Sequence, residues 1–422
     1  MTSARQLART GVLITLMLVY TVNQIDRQLL GILLEPIRHE FHLSDSQLGF
    51  LSGIAFAMFY ATLGIPFALL ADRTNRRSLI AVALGLWSSM TACCGLAVNF
   101  AQLLIFRVGV GVGESGTLPT SQSMISDLYP REKRATAMGI LSIGANLGVM
   151  TAFMAGGLIG AHWGWRAAFL IFSGVGVLLA VFVRLFMPEP ARGEDKSQVH
   201  SPAAALLSAV VRLWRTPALR NLVIAAPLAA IVSYAFLAWL PSYLIRAFGG
   251  TPATVGPLLS VVVGVGGCLG TLIGGIAADR LGLRDTRWHV WVSAIALLVA
   301  APTFVAALFA PNFWLAIGIF VVPMFLGIVY SGPNFALVQG LYPPRMRALG
   351  AAIYLFIVNL IGGGLGPLFV GLLSDHLKPQ LGNHSLRWAL ASMAVFWVIA
   401  AWFFLRTGRT LRRDLDAAAE AT

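Results

Sequence analysis

Asp26, Arg27, Arg107 and Glu114 are the only ionisable side chains well inside the long apolar segments of this chain. A charge at bilayer depth is costly and faces a cavity or a partner. Asp26 and Arg27 fall in the first apolar segment, Arg107 and Glu114 in the fourth, so those two segments are expected to meet. Two carboxylates and two guanidiniums together offer proton uptake, ion-pair exchange and anion binding. Arg107 and Glu114 are seven positions apart and share a helix face. Arg107 and Asp26 come out at similar depth, with Glu114 nearer the middle. The expectation is that Asp26 pairs with Arg107 in one state and that Arg27 or Arg107 takes an anionic solute in another. Asp26 and Glu114 are the expected proton carriers. The competing reading is a static ion-pair network that locks helices together.

Uncharged groups extend this candidate site. Tyr20 and Asn23 lie near one turn before Asp26 and can line the same cavity. Asn146 and Asn359 occupy equivalent places in the fifth and eleventh segments, and Tyr234, Tyr330 and Asn334 are candidate wall residues of the second half. Trp239, Phe335 and Tyr354 are further aromatic positions there. For the asparagines, helix–helix hydrogen bonding is the plainer role.

Other chemistries are not supported. Residues 111–116 match G-x-G-x-x-G, but that fingerprint needs a strand before it and a βαβ unit around it. Here Gly109 and Gly113 instead form G-x-x-x-G, which lets helix backbones approach closely, and Pro119 is positioned to kink the helix. Cys93, Cys94 and Cys268 lie in apolar runs with no metal or disulfide spacing. No nucleophile–base pair or phosphate loop stands in a credible context, so no enzyme activity, cofactor or metal is expected.

The elements that must position these residues are membrane helices. Of 422 residues, 58% are hydrophobic and 11% charged, against about 25% charged in a soluble domain. Twelve runs approach the roughly 20 residues needed to cross the hydrocarbon: near 11–34, 46–71, 78–98, 101–126, 135–160, 167–187, 219–246, 253–278, 288–309, 312–338, 346–373 and 386–406. The first is too long and too charged for a cleaved signal peptide. The formal net charge of +13 is explained by placement. With both termini cytoplasmic, inner segments hold 23 of the 30 Lys and Arg, outer segments five (Arg38, Arg166, Arg246, Lys378, Arg387), and Arg27 and Arg107 lie within. That is the positive-inside asymmetry, and it requires no nucleic-acid partner. The abundance of Arg over Lys, with much Ala and Gly, suggests a GC-rich bacterial source and hence the inner membrane.

The chain also repeats itself. Ala71-Asp72-Arg73 returns as Ala278-Asp279-Arg280, 207 positions on. Leu128-Tyr129-Pro130 returns as Leu341-Tyr342-Pro343, 213 positions on, and at that offset Asn146-Leu147 matches Asn359-Leu360. Parallel six-helix halves are a transporter design. The expected division is a first bundle over 1–187, a linker over 188–218, a second bundle over 219–406 and a tail over 407–422. Within the linker, Ala203 to Arg215 reads as an amphipathic helix on the cytoplasmic interface. The repeated loops carry Asp72, Arg73, Arg76 and Arg77 in the first half and Asp279, Arg280 and Arg284 in the second. A carboxylate at a helix end can bond backbone N–H groups at a neighbouring helix start or pair with Arg, which makes these loops a candidate conformational latch.

These loops resemble the G-x-x-x-D-R-x-G-R-[KR] signature of the major facilitator superfamily; the second copy keeps both glycines, whereas the first has Ala68 and Asn75 in their places. Asn23 through Arg27, Asp72 through Arg76, Arg107 with Gly113-Glu114 and Pro119, and Tyr129-Pro130 with Arg134 resemble its Spinster branch. The resemblance implies an all-α membrane protein of twelve transmembrane helices in two pseudo-symmetric six-helix bundles. It also implies a proton-linked transporter for sphingolipids or lysophospholipids, with Asp26, Arg27, Arg107 and Glu114 as the family's charged cluster. Anion:cation symporters for sugar and aromatic acids share a similar Asp-Arg and Glu, and a proton-independent lipid scramblase is the alternative from another class. The expected partners are the lipid bilayer, protons and a small amphipathic anion, with the chain acting as a monomer.

Overall fold

The computed structural model describes residues 2–190, 202–343 and 346–420, and among them there are helices and no β-strand. Helices α1 (Thr2–Phe41), α2 (Asp45–Ser52), α3 (Ile54–Arg73), α4 (Arg76–Leu96), α5 (Phe100–Glu114), α6 (Thr117–Leu128), α7 (Arg131–Trp163) and α8 (Trp165–Phe186) make the first six crossings. Helix α9 (Pro202–Arg215) follows. The second six are built from α10 (Pro217–Phe248), α11 (Pro252–Gly282), α12 (Trp288–Leu308), α13 (Phe313–Leu326), α14 (Ser331–Leu341), α15 (Arg347–Ile357), α16 (Gly366–Leu381) and α17 (Ser385–Thr407), and α18 (Leu411–Glu420) ends the chain's described part. Crossing two joins α2 and α3, four joins α5 and α6, ten joins α13 and α14, and eleven joins α15 and α16 through a π-helical stretch, Val358–Leu365.

Among the described residues, nine stretches are long and apolar enough to cross a membrane, and the last of them, 59 residues long, holds two crossings. The two crossings missing from that set are the first and fourth. They fall short because they carry Asp26, Arg27, Arg107 and Glu114. Outward faces are apolar, as a lipid-facing surface requires: Val82, Ile105, Leu178 and Val395 are each more than half exposed.

The chain divides into two compact units. The first is Met1–Lys196 with Ala238–Gly264, and the second is Ser197–Leu237 with Val265–Thr422. In unit 1, Gly144, Gly148, Ala152, Gly156 and Gly160 recur every fourth residue of α7, and α1 lies along that stripe. A Cβ on Gly144 or Gly148 would strike the Met17 or Thr21 carbonyl, and one on Gly156 or Gly160 would meet Leu29 or Leu33. On α5, Gly109 and Gly113 face Met90 and Trp87 of α4, and Gly111 faces Phe56 of α3. Small residues thus bring α1, α3, α4 and α5 close together. Gly164 alone joins α7 to α8, at φ +84°, a backbone region open to glycine and strained for other residues. In unit 2, Phe236 packs against Phe304 and Phe320 with ring centroids 5.1 and 5.3 Å apart, and Trp397 lies 5.6 Å from Phe304.

The internal repeat is visible in local structure. Asn99 and Asn312, 213 positions apart, cap α5 and α13 by accepting the N–H of Gln102 and Leu315 at 2.9 Å each. Crossings four and ten are both broken, at Ser115–Gly116 and at 327–330. Each break lies about four residues before a proline, Pro119 or Pro333, whose ring lacks an N–H and clashes with the carbonyl four residues earlier. A kink in crossing four was expected at Pro119. The helix instead breaks a turn earlier, and Pro119 sits in the first turn of α6, where proline is tolerated.

Candidate functional site

Four helices of unit 1 build the charged cluster. Helix α1 carries Tyr20, Asn23, Asp26 and Arg27, α3 carries Phe56 and Tyr60, α4 carries Trp87 and Thr91, and α5 carries Arg107 and Glu114. Glu114 is the last residue of α5 and is wholly buried. The negative end of the helix dipole falls there, so a carboxylate at that place needs a cation. Arg27 supplies it: its Nε donates to Glu114 Oε2 at 2.8 Å. The same guanidinium lies 4.0 Å from the Tyr60 ring centroid and 5.0 Å from that of Phe56, and those two rings stack 5.5 Å apart. Arg27 is therefore held by one carboxylate and an aromatic face, and it keeps 15% of its side-chain surface exposed.

Arg107 is used differently. Its Nη1 donates to the backbone carbonyl of Asp26 at 3.1 Å and its Nη2 to that of Arg27 at 3.4 Å. The side chains of Asp26 and Arg107, expected to pair in one state, are not bonded to each other in this conformation. The guanidinium reaches the α1 backbone, whose carbonyls retain a lone pair beyond their helical bond. Both Asp26 carboxylate oxygens are buried without a hydrogen-bond partner. Trp87 and Thr91 are the polar groups beside that carboxylate, and neither completes a bond to it. Asn23 is buried near Glu114, and Tyr20 is near Arg27. Asn146 lies outside this arrangement, with its amide turned to Ser142 O of its own helix at 3.5 Å.

Unit 2 holds the remaining uncharged candidates. The Tyr234 hydroxyl donates to Asn359 Oδ1 at 2.9 Å, and Asn359 returns its own amide to Leu355 O at 2.8 Å. Asn359 sits in the π-helical stretch, a local widening of the helix that recurs at functional sites. Its counterpart Asn146 lies in a regular α-helix, so the repeat is broken at this point. Tyr330 and Tyr354 are buried, and Asn334 is wholly buried with neither amide atom hydrogen-bonded.

The loop residues separate into three cases. The side chains of Asp72 and Arg73 lie outside the described residues. Arg76 is 2% exposed and bonds Asp127 Oδ2 at 2.5 Å, Glu189 Oε1 at 3.3 Å and Pro190 O at 3.1 Å. Glu189 also accepts the backbone N–H of Arg77 at 2.7 Å, so a carboxylate closes the start of α4. Asn75, which stands where the signature has glycine, caps that helix by accepting the Ser78 N–H at 2.8 Å. Asp279, Arg280 and Arg284 are exposed and make no side-chain bond among the described residues.

Sequence reasoning missed three sets of groups. Phe56 and Tyr60 are four apart, on one face of crossing two, and that spacing was available as a signal. Asp127 and Glu189 were available only as helix-end carboxylates near the basic loop. The third set is Arg246 of α10, whose guanidinium grips Asp45 with two parallel bonds of 2.8 Å and donates to Glu35 at 2.7 Å. Both carboxylates are 3% exposed. In the sequence Arg246 stands out only as an outer flanking charge.

Comparisons with known proteins agree with this architecture. A family profile described as the Major Facilitator Superfamily matches residues 16–367 and 248–421. An MFS-type efflux pump of Mycolicibacterium smegmatis is 33% identical over 414 residues, covering 97% of this chain and 94% of its own length. The sphingosine-1-phosphate transporter SPNS2 of Danio rerio is 26% identical, with 94% and 84% covered. Among solved structures, a bacterial homologue of the human lysosomal transporter Spinster, in an inward-facing, unoccupied conformation, superposes with a TM-score of 0.87. It is 31% identical and covers 96% of this chain and 98% of its own.

Proposed function

The chain belongs to the Major Facilitator Superfamily and is a multi-pass membrane transporter, not an enzyme; on that premise we propose that it moves a small amphipathic organic anion by proton-coupled alternating access. The bundles of this reading span 1–187 and 219–406, with 188–218 as linker and 407–422 as tail. In this reading both termini are cytoplasmic, which the positive-inside bias of the arginines supports, and the membrane is a bacterial inner membrane.

The observation that carries the reading is the bond between Arg27 and Glu114 at the break in crossing four. A carboxylate or phosphate arriving at Arg27 competes with Glu114 for the same donors. Once displaced, Glu114 is a wholly buried carboxylate with only the more distant Arg107 as a cation, itself bonded to the α1 backbone, and an undercompensated buried charge is costly. Taking a proton removes that cost. Anion binding and proton binding therefore favour one another, and by reciprocity each raises the other's affinity. Cargo and proton then travel in the same direction. Asp26, buried and unpartnered, is the second proton site. Arg107, committed to the backbone of α1, positions Arg27 rather than binding cargo.

An amphipathic cargo suits the contrast between the units, with charge in one and uncharged tyrosine and asparagine groups in the other. The sphingosine-1-phosphate transporter among its relatives supports a phosphate or carboxylate on an apolar tail. The latch of this reading comprises Asp72, Arg73, Arg76, Arg77, Asp279, Arg280 and Arg284, with Glu189 and Asp127 added by the geometry around Arg76.

Purified protein in proteoliposomes with an imposed pH gradient and a trapped pH dye tests this. The panel is lysophospholipids, sphingoid phosphates, aromatic acids and uronic acids, run on the wild type, Glu114→Gln and Asp26→Asn. Solute-driven proton movement for the lipid-like anions, lost in Glu114→Gln, is expected. A response to uronic acids alone would move the cargo to sugar acids. Solute flux with no proton signal in any variant would make the cluster structural and the protein a uniporter or scramblase.

A further inference from the structure

Unit 2 contains a cavity of about 350 Å³ that none of the assigned residues touch. It is lined by Arg287, Trp291, Leu405, Gly408 and Arg409. It forms where α12 begins and α17 ends, so two membrane crossings stop at its level. The arginines around it (Arg280, Arg284 and Arg287 before α12, Arg406 in the last turn of α17 and Arg409 after it) put it on the cytoplasmic side.

Its chemistry is cationic and only loosely satisfied. Arg409 makes no side-chain bond or ion pair among the described residues. The ion pair of Arg287 is a distant one, its Nε 4.0 Å from Asp285 Oδ2, and more than half of its side chain is exposed. Two guanidinium groups thus retain free donors on one cavity. The indole of Trp291 lines the same cavity, and its Nε1 approaches the chain so closely at Gly408 that a Cβ there would stand 3.0 Å away. Guanidinium forks match the oxygens of a phosphate, and tryptophan is favoured at the boundary between hydrocarbon and water.

One more feature separates a lipid from a free phosphate ion. Leu405, at the cavity's edge, continues an apolar stripe along the outer face of α17: Val395, Val398 and Trp402 are 57%, 47% and 53% exposed. They follow at helical spacing into the bilayer. The cavity volume lies at the small end of the roughly 300–1,000 Å³ of ligand sites, room for a headgroup but not for a whole lipid.

We propose that this cavity binds the phosphodiester headgroup of an anionic membrane lipid between Arg287 and Arg409, with its acyl chains lying along the exposed face of α17. Two cations on a lining that holds no carboxylate favour a headgroup that lacks an ammonium, such as phosphoglycerol.

The test is tryptophan quenching in full-length protein reconstituted into phosphatidylcholine vesicles, doped with brominated phosphatidylglycerol or with brominated phosphatidylcholine. Excess quenching by the glycerol lipid is expected in the wild type and is lost in Trp291→Phe. In Arg287→Gln/Arg409→Gln, about 30-fold more of that lipid should be needed for half-maximal quenching. Both arginines are exposed, so this variant should fold and melt like the wild type. Equal quenching by the two lipids in the wild type would overturn the proposal, as would an excess that survives in the double arginine variant. Loss of the excess on adding inorganic phosphate would assign the site to a soluble anion instead of a lipid.

Discussion

Arg27 has two kinds of partner, and they can be separated by substitution. Its bond to Glu114 is the exchangeable one. Glu114→Gln keeps the shape but removes both the charge and the titration, so the variant should still exchange solute across the membrane while losing solute-driven proton movement. Counterflow of labelled solute, run beside the pH-dye assay, checks this, and loss of both activities would make Glu114 a structural residue. The second partner is the Tyr60 ring, 4.0 Å from the guanidinium. A cation–π contact contributes about 0.5–2 kcal/mol. Tyr60→Leu should therefore weaken the apparent solute affinity about 2- to 30-fold, whereas Tyr60→Phe, which keeps the aromatic face, should leave it nearly unchanged. Equal impairment of the two variants would point to the hydroxyl and away from the ring. The charges of this cluster were legible in the sequence because ionisable groups are so rare in apolar runs. Tyr60 was not, because aromatic residues fill these crossings everywhere and only the fold shows which ring lies under a guanidinium. The exact pairing was illegible too: residue types place Arg107 beside α1, but only coordinates show it bonded to carbonyls of that helix instead of to Asp26.

At the scale of elements, close packing of α1 on α7 fixes where Asp26 and Arg27 stand. That seam rests on small residues at every fourth position, glycine at all but Ala152, and the prediction concerns two of α7's glycines with opposite surroundings. A Cβ on Gly148 would meet the Thr21 carbonyl and Gln24, whereas one on Gly139 would meet nothing within 4 Å. Overpacking of this kind costs about 1–3 kcal/mol, and alanine is otherwise favoured over glycine in a helix. Gly148→Ala should lower the melting temperature of the purified protein in detergent, and Gly139→Ala should hold or raise it. Equal melting temperatures would mean that α1 can shift without cost. The broken fourth crossing carries a prediction of its own. Pro119 denies the helix a donor and crowds the carbonyl of Ser115, so Pro119→Ala should let α5 run on into α6 and turn Glu114 away from Arg27. Protein that folds at wild-type yield but no longer couples solute to protons is the expected result, and wild-type coupling would show that the break does not depend on the proline. The number of crossings and the repeat were readable from apolar length and matching tripeptides. The breaks were not, because a proline in an apolar run is compatible with a kink, a break or a helix start, and the packing of Gly116 against Phe67 decides among them only in three dimensions.

The whole molecule is divided along a line that does not follow its internal repeat. Helix α10 belongs to unit 2 through Leu237 and to unit 1 from Ala238 onward. Its outer end is held in unit 1 by Arg246, which grips Asp45 and Glu35 and lies 5.8 Å from the Trp239 ring centroid. Alternating access, as proposed, requires this outer end to part from α1 and α2 in each cycle, so the clasp must break and re-form. Its strength then sets how often the outer side opens. Removing Arg246 altogether would leave two buried carboxylates to Arg38 alone, which reaches Glu35 at 3.4 Å and Asp45 at 3.7 Å, and breaking a buried pair costs up to about 3–5 kcal/mol, enough to threaten folding. Neutralising the carboxylates as amides is the milder probe, because Glu35→Gln/Asp45→Asn keeps hydrogen-bond acceptors for the guanidinium. Ser242 reports on the opening: it lies one turn before Arg246 on α10, is 1% exposed and has no hydrogen-bond partner for its hydroxyl. In protein whose native cysteines have been replaced, Ser242→Cys should react slowly with a membrane-impermeant maleimide added from outside. In the Glu35→Gln/Asp45→Asn background it should react at least about tenfold faster, a loss of roughly 1.4 kcal/mol of closing free energy. An unchanged labelling rate, with the double variant folded and melting near the wild type, would show that the outer end of α10 is held by its apolar packing and that the arginine clasp does not gate it.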